Sequence, residues 1–175
     1  TMTGKGTLKH ANASNPDDVQ AITGLSVKCT VTDADGDSKD ASVDLTLSLK
    51  DDGPTVTAGD APTAIELDET AMFTSNGAAL SEISGTTQTS FTITQGADTA
   101  TTAYTVEVGT APSLTALIGG QEYAVTLSGE GTNTLTGTAN NQTIFTVEVS
   151  DSGLVTFTMT GKGTLKHANA SNPDD

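Results

Sequence analysis

The chain has 175 residues, of which 34% are hydrophobic and only 3% aromatic, and it contains no Trp. Its 22 acidic residues outnumber 7 basic ones and give a formal net charge of -15, so its field repels nucleic acid and anionic membrane surfaces and attracts cations. The single cysteine, Cys29, excludes a disulfide within the chain and a zinc site built on several cysteines, and we expect it to be a small buried residue of a strand.

An internal repeat is visible at the two ends of the sequence. The first eighteen residues, TMTGKGTLKHANASNPDD, recur without change at 158–175. Chance does not produce such an identity, so we interpret the chain as one period of a tandem array and the beginning of the next. The predicted partners are therefore neighbouring identical repeats in the same chain. As a fragment, the chain is expected to be an elongated monomer.

The first predicted element is a short helix in NPDDVQAITG, capped by Asn15. Apolar residues at alternate positions then mark two strands: Leu25, Val27, Cys29 and Val31 in the first, and Val43, Leu45, Leu47 and Leu49 in the second. Such alternation is typical of half-buried antiparallel strands, so these side chains should face a core. The acidic segment DADGD at 33–37 should then be the loop between two paired strands.

Six further segments carry the strand pattern: SFTIT, AYTVEV, EYAVTL, TLTGT, TIFTVEV and LVTFTM. They are separated by Gly, Asn, Asp and Ser turns, and SDSG at 150–153 should close a hairpin between the last two. A helix of about two turns is expected in APSLTALIGG, because Pro112 lies near its start and a Gly pair follows its last apolar residue.

Many short strands without long helices predict an all-β protein built as an immunoglobulin-like β-sandwich. The two copies of the repeated segment begin 157 residues apart, which exceeds the ~100 residues of such a domain. Either the sandwich carries an insertion, or each period holds two lobes. DDGP at 51–54 is interpreted as the junction between units, because proline cannot continue a strand ladder.

We therefore assign residues 1–53 to the C-terminal strands of one repeat and residues 54–175 to the N-terminal and central part of the next. The repeats would be joined end to end by a calcium-binding linker.

Three acidic clusters surround this junction in the sequence: DADGD, DDGP and ELDE at 66–69. Calcium takes roughly 6 to 8 oxygen ligands, which carboxylates at alternate positions around a glycine turn can provide. Without a cation, so many carboxylates would repel one another, although acidic loops can also be simple solvated turns. We predict Ca²⁺ as the bound ion, with these ligands: Asp33, Asp35, Asp37, Asp51, Asp52, Glu66, Asp68 and Glu69.

Taken in order, LKH, GLSVKCTVTDADGDS, DDGP and ELDET resemble the immunoglobulin-like extender repeats of giant RTX adhesins, which Gram-negative bacteria export by type I secretion. The resemblance covers the chain from Pro54 through GTLKH. Because the segment that contains GTLKH is repeated, the resemblance continues through residues 19–53, and it is weakest at 84–120. It implies sandwiches strung end to end, with calcium at the linkers stiffening a string that projects a distal ligand-binding region from the outer membrane. It also implies an extracellular position on the cell surface, a role in adhesion and biofilm formation, and no direct membrane contact of the repeat.

Two other classes of function differ from an extender in the residues they need. A carbohydrate- or ice-binding β-sandwich is the alternative, suggested by Thr-rich stretches such as TTQTSFTIT and TFTMT, although Thr at alternate positions is more often a solvent-facing strand surface. An enzyme is not expected. One period holds a single histidine position, one cysteine and no arginine, which is too little for a nucleophile, a base and an orienting partner.

Overall fold

The computed structural model describes residues 9–12, 14, 15, 17–72, 80–96 and 100–167. Across these residues the chain is all-β, with several antiparallel sheets, one short 3-10 helix (Glu69–Met72) and no α-helix, which is consistent with a β-sandwich. The strands are β1 (Val19–Thr32), β2 (Ser38–Lys50), β3 (Thr55–Ala58), β4 (Ile83–Gln88), β5 (Phe91–Thr94), β6 (Thr115–Ile118), β7 (Gln121–Ala124), β8 (Thr126–Ser128), β9 (Thr134–Ala139), β10 (Gln142–Val149), β11 (Leu154–Met159) and β12 (Thr164–Leu165).

The chain divides into two compact units. Unit one comprises residues 1–57 and 92–101, and unit two comprises residues 58–91 and 102–175. Unit one is dominated by β1 and β2, which pair as a long antiparallel hairpin, and β3 pairs with β5 in a separate two-stranded sheet. Thr32 lies opposite Ser38, so 33–37 is the hairpin loop, as the alternation of the two strands predicted.

A bulge in β1 keeps the apolar residues of this hairpin on one face. Ile22 and Leu25 are three residues apart, which would place them on opposite faces of a regular strand. The register shifts between them, where Gly24 adopts a φ of 78° that glycine reaches without strain. Ile22 therefore lies opposite Leu47 and Leu25 opposite Leu45, so all four side chains share a face.

The prediction that this face is buried is wrong for the described chain. Val43 is 71% exposed and Val31 67%, and Cys29 on the same face is exposed as well. Alternation shows only that one face of a strand pair is apolar. It does not show that the same stretch of chain provides a layer to cover that face.

Both predicted helices are wrong. The chain enters β1 at Val19, and the side chain of Asn15 accepts a hydrogen bond from the Asp17 N–H (3.2 Å) in a turn; Pro16 of the same segment lies outside the described residues. The segment around 115–118 is β6. Gly119 and Gly120, with φ of 57° and 78°, form the two-residue turn that brings β7 back beside it. A Gly pair at positive φ is the signature of a tight hairpin as well as of a helix end.

The remaining strand predictions hold with two exceptions. SFTIT, TLTGT, TIFTVEV and LVTFTM contain β5, β9, β10 and β11. EYAVTL is divided between β7 and β8, and AYTVEV contributes only a single bridge between Val106 and Thr132. The SDSG hairpin is confirmed: β10 pairs with β11, and the Ser150 N–H donates to the Leu154 carbonyl (2.9 Å).

Unit two holds a five-stranded antiparallel sheet in the order β4-β11-β10-β9-β8 and a three-stranded sheet in the order β12-β6-β7. Phe145, Val147 and Val149 of the central strand β10 lie opposite Met159, Phe157 and Val155 of β11 and form the apolar face of the larger sheet. The buried core is small, as expected for a chain poor in aromatic residues, and consists of Met72, Ala116, Ala139, Ile144, Phe145 and Met159.

The best-defined contact of this core is a phenyl ring over a glycine. Gly137 of β9 lies opposite Phe145, and the Phe145 ring fills the space that a side chain at 137 would need. The same ring meets Phe157 edge to face, with centroids 5.7 Å apart and an interplanar angle of 74°. The missing side chain at 137 thus fixes where the two rings of the core lie.

We predict that Gly137→Ala destabilises unit two by about 1–3 kcal/mol, because the added methyl group displaces the Phe145 ring from a packed core. Gly109→Ala is the matched control, since a side chain there meets no atom within 4 Å, and its effect should stay within about 0.5 kcal/mol. Chemical denaturation of the two variants measures both values. Equal stability of the two variants would contradict the packing described here.

Candidate metal site

The loop between β1 and β2 is a tight turn that requires glycine at one position. The Asp33 N–H donates to the Asp37 carbonyl (2.9 Å), and the Gly36 N–H donates to the Asp33 carbonyl (3.2 Å). Gly36 has a φ of 102°, a conformation that residues with a side chain rarely adopt. No atom lies within 4 Å of a side chain built there, so backbone conformation and not space demands the glycine.

This turn gathers three aspartates. Asp33, Asp35 and Asp37 are all exposed, and each has a carboxylate oxygen within 4.8 Å of the other two. The Asp37 N–H donates to Oδ1 of Asp33 (3.0 Å), which fixes one of the three carboxylates against the backbone. The cluster could therefore hold a metal ion.

The electrostatics of the loop favour a cation. The pKa of Asp33 is lowered from 3.8, first by a hydrogen bond with the Asp35 side chain; desolvation opposes the shift, and the backbone N–H groups of Asp37, Asp35 and Gly36 lower the pKa further. Three carboxylates held this close together repel one another when they are charged. A metal ion bound between them would offset this repulsion.

The three carboxylates occupy only part of a calcium coordination sphere. With one oxygen from each aspartate, the loop provides three of the roughly 6 to 8 ligands that calcium takes. Water, backbone carbonyl groups or carboxylates from another copy would complete the sphere. The loop lies beside an open depression lined by Val31, Asp33, Asp37, Ser38 and Lys39, so a ligand can reach it from solvent.

Asp51 and Asp52 of the second predicted cluster lie at the far end of β2. This strand has 13 residues at about 3.3 Å each, so it separates the two clusters by roughly 40 Å. The Asp51 N–H donates to the Asp18 carbonyl (2.8 Å), and Lys50 forms an ion pair with Asp17 (2.8 Å) that raises the pKa of the lysine. A single ion therefore does not contact both clusters of one hairpin.

The third cluster begins the 3-10 helix of unit two. Asp68 Oδ1 accepts a hydrogen bond from the Thr70 N–H (2.8 Å), and the hydroxyl and N–H of Thr70, in that order, lower the pKa of Asp68. Glu69 Oε1 accepts from the Leu165 N–H (3.0 Å), and its Oε2 lies 3.6 Å from Nε2 of His167. Glu66 is exposed.

Two of these acidic residues therefore have structural roles that their place in an acidic cluster did not predict. Asp68 caps the 3-10 helix, and an Asp two residues before a Thr at a chain reversal is a recognisable capping signal. Glu69 ties the start of that helix to β12, which is 96 residues away in sequence. No local pattern could have revealed this second contact.

We expect Glu69→Ala to destabilise unit two by about 1–3 kcal/mol, because the partly buried Leu165 N–H loses its acceptor. Exposed Glu66→Ala removes the same charge and should change stability by no more than about 0.5 kcal/mol. Thermal unfolding in the presence of a chelator measures both. If the Glu69 variant loses stability only when calcium is present, the residue is a metal ligand and its structural role is refuted.

The fold and the loop together define an all-β protein with an exposed carboxylate cluster that could bind a metal. Residues 64–175 match the family described as "Domain of unknown function (DUF5801)", and the chain belongs to that family. No curated protein and no solved structure matches the chain. Within the part of the chain that the structure describes, there is no helix with the length and apolar character needed to cross a membrane.

Proposed function

We propose that this chain is a structural extender module of a bacterial surface adhesin, related to the immunoglobulin-like repeats of RTX adhesins. The module has no catalytic activity, reaches the Gram-negative cell surface by type I secretion, and separates a distal ligand-binding region from the cell in adhesion and biofilm formation. The observation that carries the proposal is the carboxylate cluster of Asp33, Asp35 and Asp37 in a chain that repeats its own sequence.

Calcium is the proposed ion, and stiffening is its proposed effect. The loop holds the carboxylates of Asp33, Asp35 and Asp37 close together, and calcium offsets their mutual repulsion by binding them in their charged form. Asp51, Asp52 and Glu66 are the proposed ligands at the linkers, with Asp68 and Glu69 joining them through the carboxylate oxygens that do not accept the hydrogen bonds from the Thr70 and Leu165 N–H groups. Because β2 holds the loop and the DDGP linker at opposite ends of the hairpin, each copy offers an acidic cluster at either end.

The expected energies are large enough to matter. Extracellular calcium modules have dissociation constants of ~0.1 to 1 mM. At ~10 mM calcium, one such site adds about 1.4 to 2.7 kcal/mol to the free energy of unfolding. A few sites per period would therefore provide a large share of the ~5 to 15 kcal/mol that stabilises a domain.

We predict that calcium raises the melting temperature of the chain and that Asp35→Asn abolishes the part of this increase due to the loop. Asp44→Asn is the matched control, because it removes the same charge from an exposed position of the same hairpin outside the cluster. Titration calorimetry with calcium should show weakened binding in the first variant only. Equal calcium affinity in the two variants would refute the loop site.

The pH dependence of calcium binding follows from the lowered pKa of Asp33. A carboxyl group with a depressed pKa stays charged below its ordinary 3.8, so the contribution of Asp33 to binding should be unchanged from neutral pH down to about 4 and should be lost only at more acidic pH. Loss of binding already near pH 6 would instead point to histidine.

Small-angle scattering with and without chelator distinguishes an extender stiffened by calcium from a chain whose acidic loops are only solvated. Without the ion, like charges at the linkers repel and the array bends, so the maximum dimension should shrink in chelator. If chelator changes neither the maximum dimension nor the melting temperature, this proposal loses its physical basis.

A carbohydrate- or ice-binding module is the second candidate, and one observation favours it. Every strand of the five-stranded sheet contributes a hydroxyl residue to one cross-strand row, formed by Ser128, Thr136, Thr146, Thr158 and Ser84. The row has a regular spacing of about 4.8 Å and lies on the face opposite Phe145 and Val147. Cross-strand Thr pairs also stabilise sheets without any ligand.

Thr146→Val tests this candidate, because it removes the central hydroxyl and keeps the side-chain shape. Exposed Thr102→Val is the control. If the extender function is correct, both variants behave as the parent in ice-recrystallisation and glycan-binding assays, and the parent shows no activity in either. Activity that only Thr146→Val abolishes would favour the binding module.

A further inference from the structure

The apolar face of the β1–β2 hairpin is exposed in the described chain. Val27 is 56% exposed, Val31 67% and Val43 71%, and they lie together on one side of only two strands. A two-stranded hairpin is at best marginally stable alone in water, and apolar area left in water forgoes about 25 cal/mol per Å². A stable protein therefore needs a layer over this face.

The repeated segment indicates where that layer comes from. Residues 158–175, identical to 1–18, begin inside unit two: Thr158 and Met159 end β11, and Thr164 and Leu165 form β12. The hairpin therefore follows, in the chain, a second copy of the segment that in unit two runs from one sheet into the other. In an array, the sequence just before each hairpin is the sequence of unit two of the preceding repeat.

Unit two has few large apolar side chains that are fully buried, and the apolar face of the hairpin could add such side chains to its core. Among its described residues only Met72 and Ile144 are large side chains that are fully buried. Leu127, Phe157 and Leu165 pack against the core but stay partly exposed. β12 lies at the edge of the three-stranded sheet with β6 on one side, so strands can be added beside it.

We propose that the apolar face of the hairpin docks on unit two of a second copy of this chain and completes its sandwich. In a tandem array the second copy is the preceding repeat. For the isolated chain it is another molecule, so this proposal replaces the monomer expected from the sequence with a chain that associates. The docking face consists of Ile22, Leu25, Val27, Cys29, Val31, Val43, Leu45 and Leu47. This inference does not depend on calcium or on the extender role, because it rests on apolar burial.

The charge of the chain gives the association a distinctive salt dependence. Two copies that each carry -15 repel one another, so screening by salt should strengthen an apolar docking between them. A partner held by charge would show the opposite trend. Salt titration thus separates a second copy from a basic partner.

The decisive experiment extends the full chain by a further copy of residues 19–53 after Asp175, which continues the repeat in register. Cys29 is the only cysteine of a period and lies on the docking face, so it serves as the probe. Two variants each keep one thiol: Cys29→Ser leaves only the thiol of the added hairpin, and the same change in the added hairpin leaves only Cys29. Reaction with a water-soluble disulfide reagent is followed at several protein concentrations.

The thiol of the added hairpin should react at least tenfold more slowly than Cys29 in dilute solution, and its rate should not change with concentration. Equal rates for the two thiols would overturn the proposal. Protection of Cys29 in a dilute monomer would overturn it as well, since the hairpin would then be covered by its own chain.

The unextended chain provides an independent test. Val43→Asp places a charge on the docking face, and Ser42→Asp places it on the opposite face of the same strand. Sedimentation velocity should show association that increases with protein and salt concentration for the parent and for Ser42→Asp, and monomers for Val43→Asp. If both variants show the same association state while unit two remains folded, the docking face is refuted.

Discussion

The β1–β2 hairpin and the five-stranded sheet each have one apolar face, and the need to cover these faces governs the rest of the described structure. Unit two meets the need with few large side chains, by setting its two sheets and the 3-10 helix around Ile144, Phe145 and Met72. With no tryptophan and few aromatic rings, the core depends on close contacts such as the ring of Phe145 over Gly137. Such a core tolerates little change in volume.

Charge works against compactness in this chain. A net charge of -15 makes copies of the chain repel one another, and many of its carboxylates lie in loops where they also repel their neighbours. The DADGD turn increases this repulsion, because the backbone conformation at Gly36 closes the loop and brings three aspartates close together. Other acidic groups form ion pairs with lysines: Asp17 pairs with Lys50, and Glu122 pairs with Lys166.

The sequence was sufficient to predict the elements that depend on local chemistry. Alternation gave the β1–β2 hairpin and its acidic loop, and SDSG marked the β10–β11 turn, because both signals act between neighbours in the chain. The Gly119–Gly120 pair wrongly indicated a helix end, because glycine at positive φ occurs both in hairpin turns and at helix ends. The exposure of Cys29 and the bond from Leu165 to Glu69 depend on distant parts of the chain, and no local pattern contains them.

The position of the repeated segment has a consequence for the length of the array. Residues 158–165 of the segment end β11 and form β12, so in the proposed array the segment would mark one structural point in every period. A protein that gained or lost one whole period at this point would rejoin equivalent halves of the same strand. Every sheet would keep its register and every side chain its neighbours. The reach of the molecule could then change in whole steps of one period, with no new interface to evolve at the splice.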